Sequence, residues 1–138
     1  MTVNTTSTVK LNASADTVWE LIGGFNSLPA WQPAVADSRL DDAGRVRRLT
    51  MADGNTIVQT LLWSRDTERA YSYSMDKCHL PVADYVSTLC VVEEAGGRAC
   101  RIEWTCAFEP VGLTEDEART VIEEIHGRGL DRLKSLFG

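Results

Sequence analysis

The sequence has little of what would make an assignment immediate. Its four cysteines, Cys78, Cys90, Cys100 and Cys106, include no C-x-x-C pair, and its two histidines, His79 and His126, lie far apart. That spacing argues against a structural zinc site, and no metal or cofactor is expected. No apolar run approaches the roughly 20 residues that span a bilayer, so membrane insertion is not expected. Positive charge is the minority sign: 14 Lys and Arg stand against 20 Asp and Glu, a formal net charge of −6. A chain of this sign is repelled by nucleic acid and by anionic membrane surfaces, so neither is an expected partner. The opening segment MTVNTTSTVKLNA holds one Lys and no apolar stretch. It does not read as a secretory leader, which makes cytoplasmic the expected location and reduced the expected state of the cysteines. Repeats, low-complexity tracts and linkers are also missing, so residues 1–138 read as one domain.

What is present is a domain of ordinary size and composition, 138 residues with 43% hydrophobic and 25% charged. A chain of this length buries roughly 70% of its unfolded surface and can hold a core without staples. Four Trp and three Tyr need places in that core.

Residues 3–11 alternate Thr and Val with period two and predict a first strand. Ser14 is placed to cap a helix over 15–22 with Val18, Leu21 and Ile22 on its apolar face, and Gly23-Gly24 ends it. Between Pro29 and Pro33 there is room only for one helical turn. Five or six strand signals follow: 34–40, 45–51, 56–64, 69–76, 84–93 and 99–108. They are separated by Asp41-Asp42-Ala43-Gly44, by Asp53-Gly54, by Arg65-Asp66-Thr67-Glu68 and by Gly96-Gly97. Connections this short predict an antiparallel meander. Thr114-Glu115-Asp116-Glu117 is a capping box for a long last helix, with Ala118, Val121, Ile122, Ile125, Leu130, Leu133, Leu136 and Phe137 at helical spacing. The simplest packing of this α+β order lays the long helix across one face of a curved sheet.

Strand parity then predicts which side chains face that helix. In 99–108 the inward set is Cys100, Ile102, Trp104, Cys106 and Phe108. In 69–76 it is Tyr71, Tyr73 and Met75, and in 84–93 it is Tyr85, Ser87, Leu89 and Val91. In 56–64, Ile57, Gln59, Leu61 and Trp63 compete with Val58, Thr60 and Leu62, and the first set is preferred. The interior is then lined by aromatics with polar tips: Trp31, Trp63, Tyr71, Tyr73, Tyr85 and Trp104. Such tips need partners, which internal water or a ligand can supply, so a filled core and a ligand cavity are both open. Gly127 and Gly129 sit within the long helix, where each costs roughly 1 kcal/mol relative to Ala. Gly129 falls on the sheet-facing side and leaves space there for a neighbouring ring or for a ligand.

Several motifs occur in a telling order: Leu28-Pro29-Ala30-Trp31-Gln32-Pro33, Gly44-Arg45-Val46-Arg47, Asp53-Gly54, Leu80-Pro81-Val82-Ala83-Asp84-Tyr85, Trp104 to Pro110 (WTCAFEP), and Gly129-Leu130-Asp131-Arg132-Leu133-Lys134. Together they resemble the START-like, or SRPBCC, superfamily over nearly the whole chain, and within it the bacterial polyketide cyclase/dehydrase group. The resemblance implies a helix-grip fold, a curved seven-stranded antiparallel sheet wrapped around the long C-terminal helix, with two short helices after the first strand. It also implies a deep hydrophobic cavity between sheet and helix. Members bind lipids, sterols, polyketides or plant hormones, and a few catalyse cyclisation or dehydration. In the plant abscisic acid receptors two loops gate and latch that cavity, and by position they correspond here to Met51–Asn55 and His79–Ala83. An acidic residue is common in the superfamily where this chain has Gln59, and an amide cannot take a proton as a general base.

Two functions follow as expectations. In the first, the protein binds a small hydrophobic, lipid- or polyketide-like molecule, as a monomer or homodimer. The ligand-binding residues are then Trp31, Arg47, Gln59, Trp63, Tyr71, Tyr73, Met75, Tyr85, Ser87, Trp104, Val121, Ile125 and Gly129. In the second it is a cyclase, aromatase or dehydratase whose acid and base groups are His79, Tyr85 and Asp84, with Arg47 beside them. Arg47 shares parity with Leu49 and Met51, and both an inward and a snorkelling side chain are open to it. His126, next to Ile125, reads more readily as a surface residue of the long helix than as a ring at the cavity rim.

Overall fold

The computed structural model describes residues 2–138 and contains one sheet of seven strands, two short helices and one long one. Strand β1 (Val3–Leu11) is followed by helix α1 (Ala15–Ile22) and the single turn α2 (Leu28–Trp31). Then come β2 (Val35–Asp41), β3 (Val46–Met51), β4 (Thr56–Arg65), β5 (Ala70–Lys77), β6 (Val82–Glu94) and β7 (Ala99–Pro110), and the chain closes with α3 (Glu115–Phe137). The spatial order is β1-β7-β6-β5-β4-β3-β2, all antiparallel. Strands β2 to β7 form the meander that short connections demand, and β1 returns to pair along β7 from Val3↔Phe108 to Leu11↔Cys100. This is the helix-grip fold, with the curved sheet folded about α3.

Local chemistry sets the element ends. The Ser14 hydroxyl accepts from the Thr17 amide and starts α1. At α3 the Thr114 hydroxyl accepts from the Glu117 amide while the Glu117 carboxylate accepts from the Thr114 amide, a complete capping box. Glu115, Asp116 and Glu117 crowd the first turn of α3, where the helix dipole favours negative charge. The β2–β3 and β6–β7 connections repeat one shape: three successive residues at positive φ, Asp42-Ala43-Gly44 and Ala95-Gly96-Gly97, each ending on a glycine near +90°. No helix of the described residues is long and apolar enough to cross a membrane.

The core lies between the inner face of the sheet and α3. Cys100, Ile102, Trp104, Cys106 and Phe108 all point into it, as do Tyr85, Ser87, Leu89 and Val91. On α3 the buried stripe is Ala118, Ile122, His126, Gly129, Leu130 and Leu133. Val121 and Ile125 are only half-buried, and Leu136 is exposed.

Two bulges correct the simple parity reading. On β4 the register shifts between Leu61 and Trp63, so that Leu61 pairs with Tyr73 and Trp63 with Ser72. Paired residues share a face, so the shift leaves Leu61 packed against the core and turns Trp63 to the outer side. There the guanidinium of Arg65 lies over its ring, 4.3 Å from the centroid. Trp63 is therefore not an interior residue. On β6 the register shifts between Ala83 and Val86, and Asp84 adopts a φ of +51°. This second bulge lets both Val82 and Tyr85 face the core although they are an odd number of residues apart.

Candidate functional site

Between the sheet and α3 lies an interior cavity with about 40 Å³ open to the centres of water molecules. At ~10–15 Å³ per water this is room for about three. Its apolar wall includes Leu49 and Met51 of β3, Ile57 of β4, Met75 of β5, and Ile122 and Ile125 of α3. The polar groups at its surface are Gln32, Gln59, Tyr73, Tyr85, Trp104 and His126. A cleft of about 220 Å³ lies outside it, lined by Ala34, Met51, Ala52, Asp53, His79, Leu80, Ile125 and Arg128. Met51, Leu80 and Ile125 line both spaces. These three apolar side chains are the partition between cleft and cavity.

The polar groups are organised in two clusters. In the first, His126 is stacked on Trp104, with ring centroids 4.0 Å apart and planes within 8°, and its Nε2 is 2.9 Å from the Tyr85 hydroxyl. Its Nδ1 is buried without a partner among the described residues. Burial lowers the His126 pKa to about 3, because nothing nearby repays the loss of water around an imidazolium. Burial also raises Tyr85 well above the usual phenol range, and Tyr73 in the same direction. Trp104 Nε1 donates to the Tyr73 hydroxyl at 3.2 Å and to Ser87 Oγ at 3.0 Å.

The second cluster centres on Arg47, which is 0% exposed. Arg47 and Gln59 are directly opposite on β3 and β4, and Arg47 Nε donates to Gln59 Oε1 at 2.8 Å. Nη1 donates to the Phe25 carbonyl at 3.0 Å and to the Tyr71 hydroxyl at 3.4 Å. The rings of Phe25, Tyr73 and Tyr71 stand 4.2, 4.7 and 5.6 Å from the guanidinium carbon. Their π faces offset part of the cost of burying the charge. Nη2 has no hydrogen-bond partner among the described residues.

Of the residues that the sequence pointed to, the cavity brings together Gln59, Tyr73, Met75, Tyr85, Trp104 and Ile125. Others stand behind its wall. Arg47 faces inward but is sealed off by Gln59 and Tyr73. Tyr71 packs against Phe25 and Trp19, and Ser87 Oγ donates to the Thr105 carbonyl. Trp31 packs on Trp104, centroids 5.5 Å apart. Three more fall away from the cavity altogether. Trp63 is turned outward by the β4 bulge, Val121 lies beside the buried stripe of α3, and the space over Gly129 is filled by Gln32 and Trp31. Of the acid/base candidates, Tyr85 alone reaches the cavity. His79 lines the outer cleft 3.6 Å from the Asp53 carboxylate, and Asp84 is exposed on the bulge.

For His126 the sequence favours the surface over the cavity rim, and the structure buries it on the cavity wall. A signal for it exists: Ile122, His126, Gly129 and Leu133 follow the 4-3-4 spacing of a buried helix stripe. Gln32 was also missed. It lies just after α2, and its amide bridges α3 and the start of β2, with Nε2 donating to the Ile125 carbonyl at 2.9 Å and Oε1 accepting from the Ala34 amide at 3.2 Å.

Comparison with known proteins agrees with this geometry. A family profile described as "Polyketide cyclase / dehydrase and lipid transport" matches residues 2–138. The structure of the protein XoxI from Bacillus cereus is similar at 39% identity and a TM-score of 0.96, covering 98% of this chain and 95% of that one. An uncharacterised protein from Bacillus thuringiensis is similar at 40% identity and a TM-score of 0.95, covering 97% and 98%. The Zhui aromatase/cyclase from Streptomyces sp. R1128 shares the fold at 18% identity and a TM-score of 0.79, covering 98% and 93%. No curated protein matches the sequence.

Proposed function

The chain belongs to the polyketide cyclase, dehydrase and lipid transport family, and from that premise we propose that it binds a small apolar, lipid- or polyketide-like molecule in the cavity between sheet and α3. One observation carries the reading. The cavity wall is apolar apart from a few directed polar groups, and every titratable group on it is held neutral: Tyr73 and Tyr85 by pKa values raised on burial, His126 by one lowered to about 3. Such a wall recognises by shape and hydrogen bonds. Proton transfer is poorly served, because a general acid or base works best with a pKa near the working pH. This favours binding over the cyclase or dehydratase reading, in which Tyr85 and His126 would have to exchange protons at neutral pH.

The cavity has room for a few waters only, so a ligand enters by displacing Met51, Leu80 and Ile125. Titration calorimetry with 2-naphthalenemethanol tests the proposal. Saturable one-to-one binding is expected, and it should be lost in Ile122→Phe, which puts a ring into the cavity. Binding that never saturates, or that survives Ile122→Phe unchanged, would remove the cavity as the site.

A further inference from the structure

The buried guanidinium of Arg47 has no carboxylate among its partners. It is surrounded by an amide oxygen, a backbone carbonyl, a phenol oxygen and three aromatic rings. Because an arginine only donates hydrogen bonds, the atom of Gln59 that meets Arg47 Nε must be the carbonyl oxygen. That contact fixes the orientation of the amide. Gln59 lines the cavity, its oxygen is taken, and its nitrogen makes no hydrogen bond among the described residues. The polar end left to the cavity is therefore the NH₂ group.

A cation behind the carbonyl polarises the amide and makes those N–H groups stronger donors. Tyr73 stands on the same wall, where its oxygen accepts from Trp104 Nε1. Among the described residues no Asp or Glu lines the cavity. The wall thus carries donors and, one layer behind, an uncompensated positive charge.

We infer that Gln59 relays the charge of Arg47 into the cavity, and that the ligand is an apolar molecule headed by an anionic oxygen, a carboxylate or an enolate, set against the Gln59 amide nitrogen. This rests on the binding reading above and narrows its ligand class. It also gives a reason for an amide at position 59. A carboxylate there would neutralise Arg47 and present negative charge, where Gln59 passes the positive field on and presents hydrogens.

The test compares 2-naphthoate with 2-naphthalenemethanol by calorimetry at pH 7, in the native protein and in Gln59→Glu and Gln59→Met. The two probes share their ring system and differ in the head group. In the native protein naphthoate should bind at least tenfold more tightly than the alcohol. In Gln59→Glu that ratio should fall below one. The variant gives Arg47 a counter-ion of the same shape as the amide, so it should keep its fold. Gln59→Met removes the donors and keeps the length of the side chain, and there too the preference should vanish. Equal affinities in the native protein would overturn the inference and leave the binding site standing. A preference that survives both substitutions would overturn the relay, because Arg47 would then act without Gln59. If neither probe binds the native protein, the cavity reading falls and this inference falls with it.

Discussion

Two glycines of α3, two residues apart, should respond to the same substitution with opposite signs. An added Cβ on Gly127 would meet nothing within 4 Å. Gly127→Ala removes the backbone entropy penalty of glycine in a helix interior and should stabilise the fold by about 0.5–1 kcal/mol. An added Cβ on Gly129 would stand 2.8 Å from Gln32 Nε2 and 3.0 Å from Trp31 Cζ3. Gln32 cannot swing aside freely. It is 2% exposed, and both ends of its amide are bonded, to the Ile125 carbonyl and the Ala34 amide. Trp31 is confined in turn by Trp104. Forcing a methyl group into this contact costs about 1–3 kcal/mol of overpacking. A buried hydrogen bond broken in the process costs about 1–3 kcal/mol more. Against these stands a helix gain of about 1 kcal/mol, so the net loss should be about 1–5 kcal/mol. Urea unfolding followed by far-UV circular dichroism measures both variants. At this chain length 1 kcal/mol corresponds to roughly 3–4 °C in Tm, so a thermal scan should place the two on opposite sides of the native protein. If Gly129→Ala proves as stable as Gly127→Ala, the Gln32 amide moves at no cost and the packing argument for Gly129 is wrong.

Three further outcomes are expected. His126 has a folded pKa of about 3 against an ordinary 6.5, so below pH 6.5 the unfolded chain takes a proton that the folded one refuses. Its contribution is complete above pH 6.5 and is lost as pH falls toward 3, at up to ~1.4 kcal/mol per pH unit. Between pH 7 and 5.5 the native protein should therefore lose about 1 kcal/mol more stability than His126→Phe, and parallel stability curves would contradict the assignment. Tyr85→Phe leaves His126 without its one hydrogen-bond partner and should cost about 1–3 kcal/mol in urea unfolding. Trp63→Ala removes a ring that the β4 bulge has turned outward, and calorimetry should find 2-naphthalenemethanol binding within twofold of native; a tenfold loss would mean that the bulge does not set the face of this residue.

Most of the architecture could be read from local signals, because each is a short-range physical effect. The capping box at Thr114, the glycine-ended turns at 42–44 and 95–97, and the period-two alternation of β7 all depend on a few neighbouring residues. The errors come where a non-local event interrupts a local rule. Parity holds along β7 but fails on β4 past Leu62, because one bulged residue exchanges the faces of everything beyond it, Trp63 included. Nothing in the composition of LLWSR announces that shift. Charge alone leaves the direction of Arg47 open, since a lone buried cation is unfavourable unless rings and carbonyls converge on it, as they do from the α1–α2 connection, β4 and β5. The sequence leaves the space over Gly129 open to a neighbouring ring or a ligand, and the structure fills it with Gln32 and Trp31. For His126 residue type favours the surface, while helical spacing places it with Ile122 and Leu133.

The partition formed by Met51, Leu80 and Ile125 has a kinetic consequence. A ligand that must wait for three packed side chains to part associates at a rate governed by how often the protein opens, and chemically different ligands should then share similar association rates while their residence times diverge. Met51 makes that rate open to chemistry as well. Oxidation of its thioether to the sulfoxide would place a polar, chiral group in an apolar door, and methionine sulfoxide reductase would restore it. One of the three side chains that close the cavity is thus also the one through which an oxidant would change how quickly the cavity fills and empties.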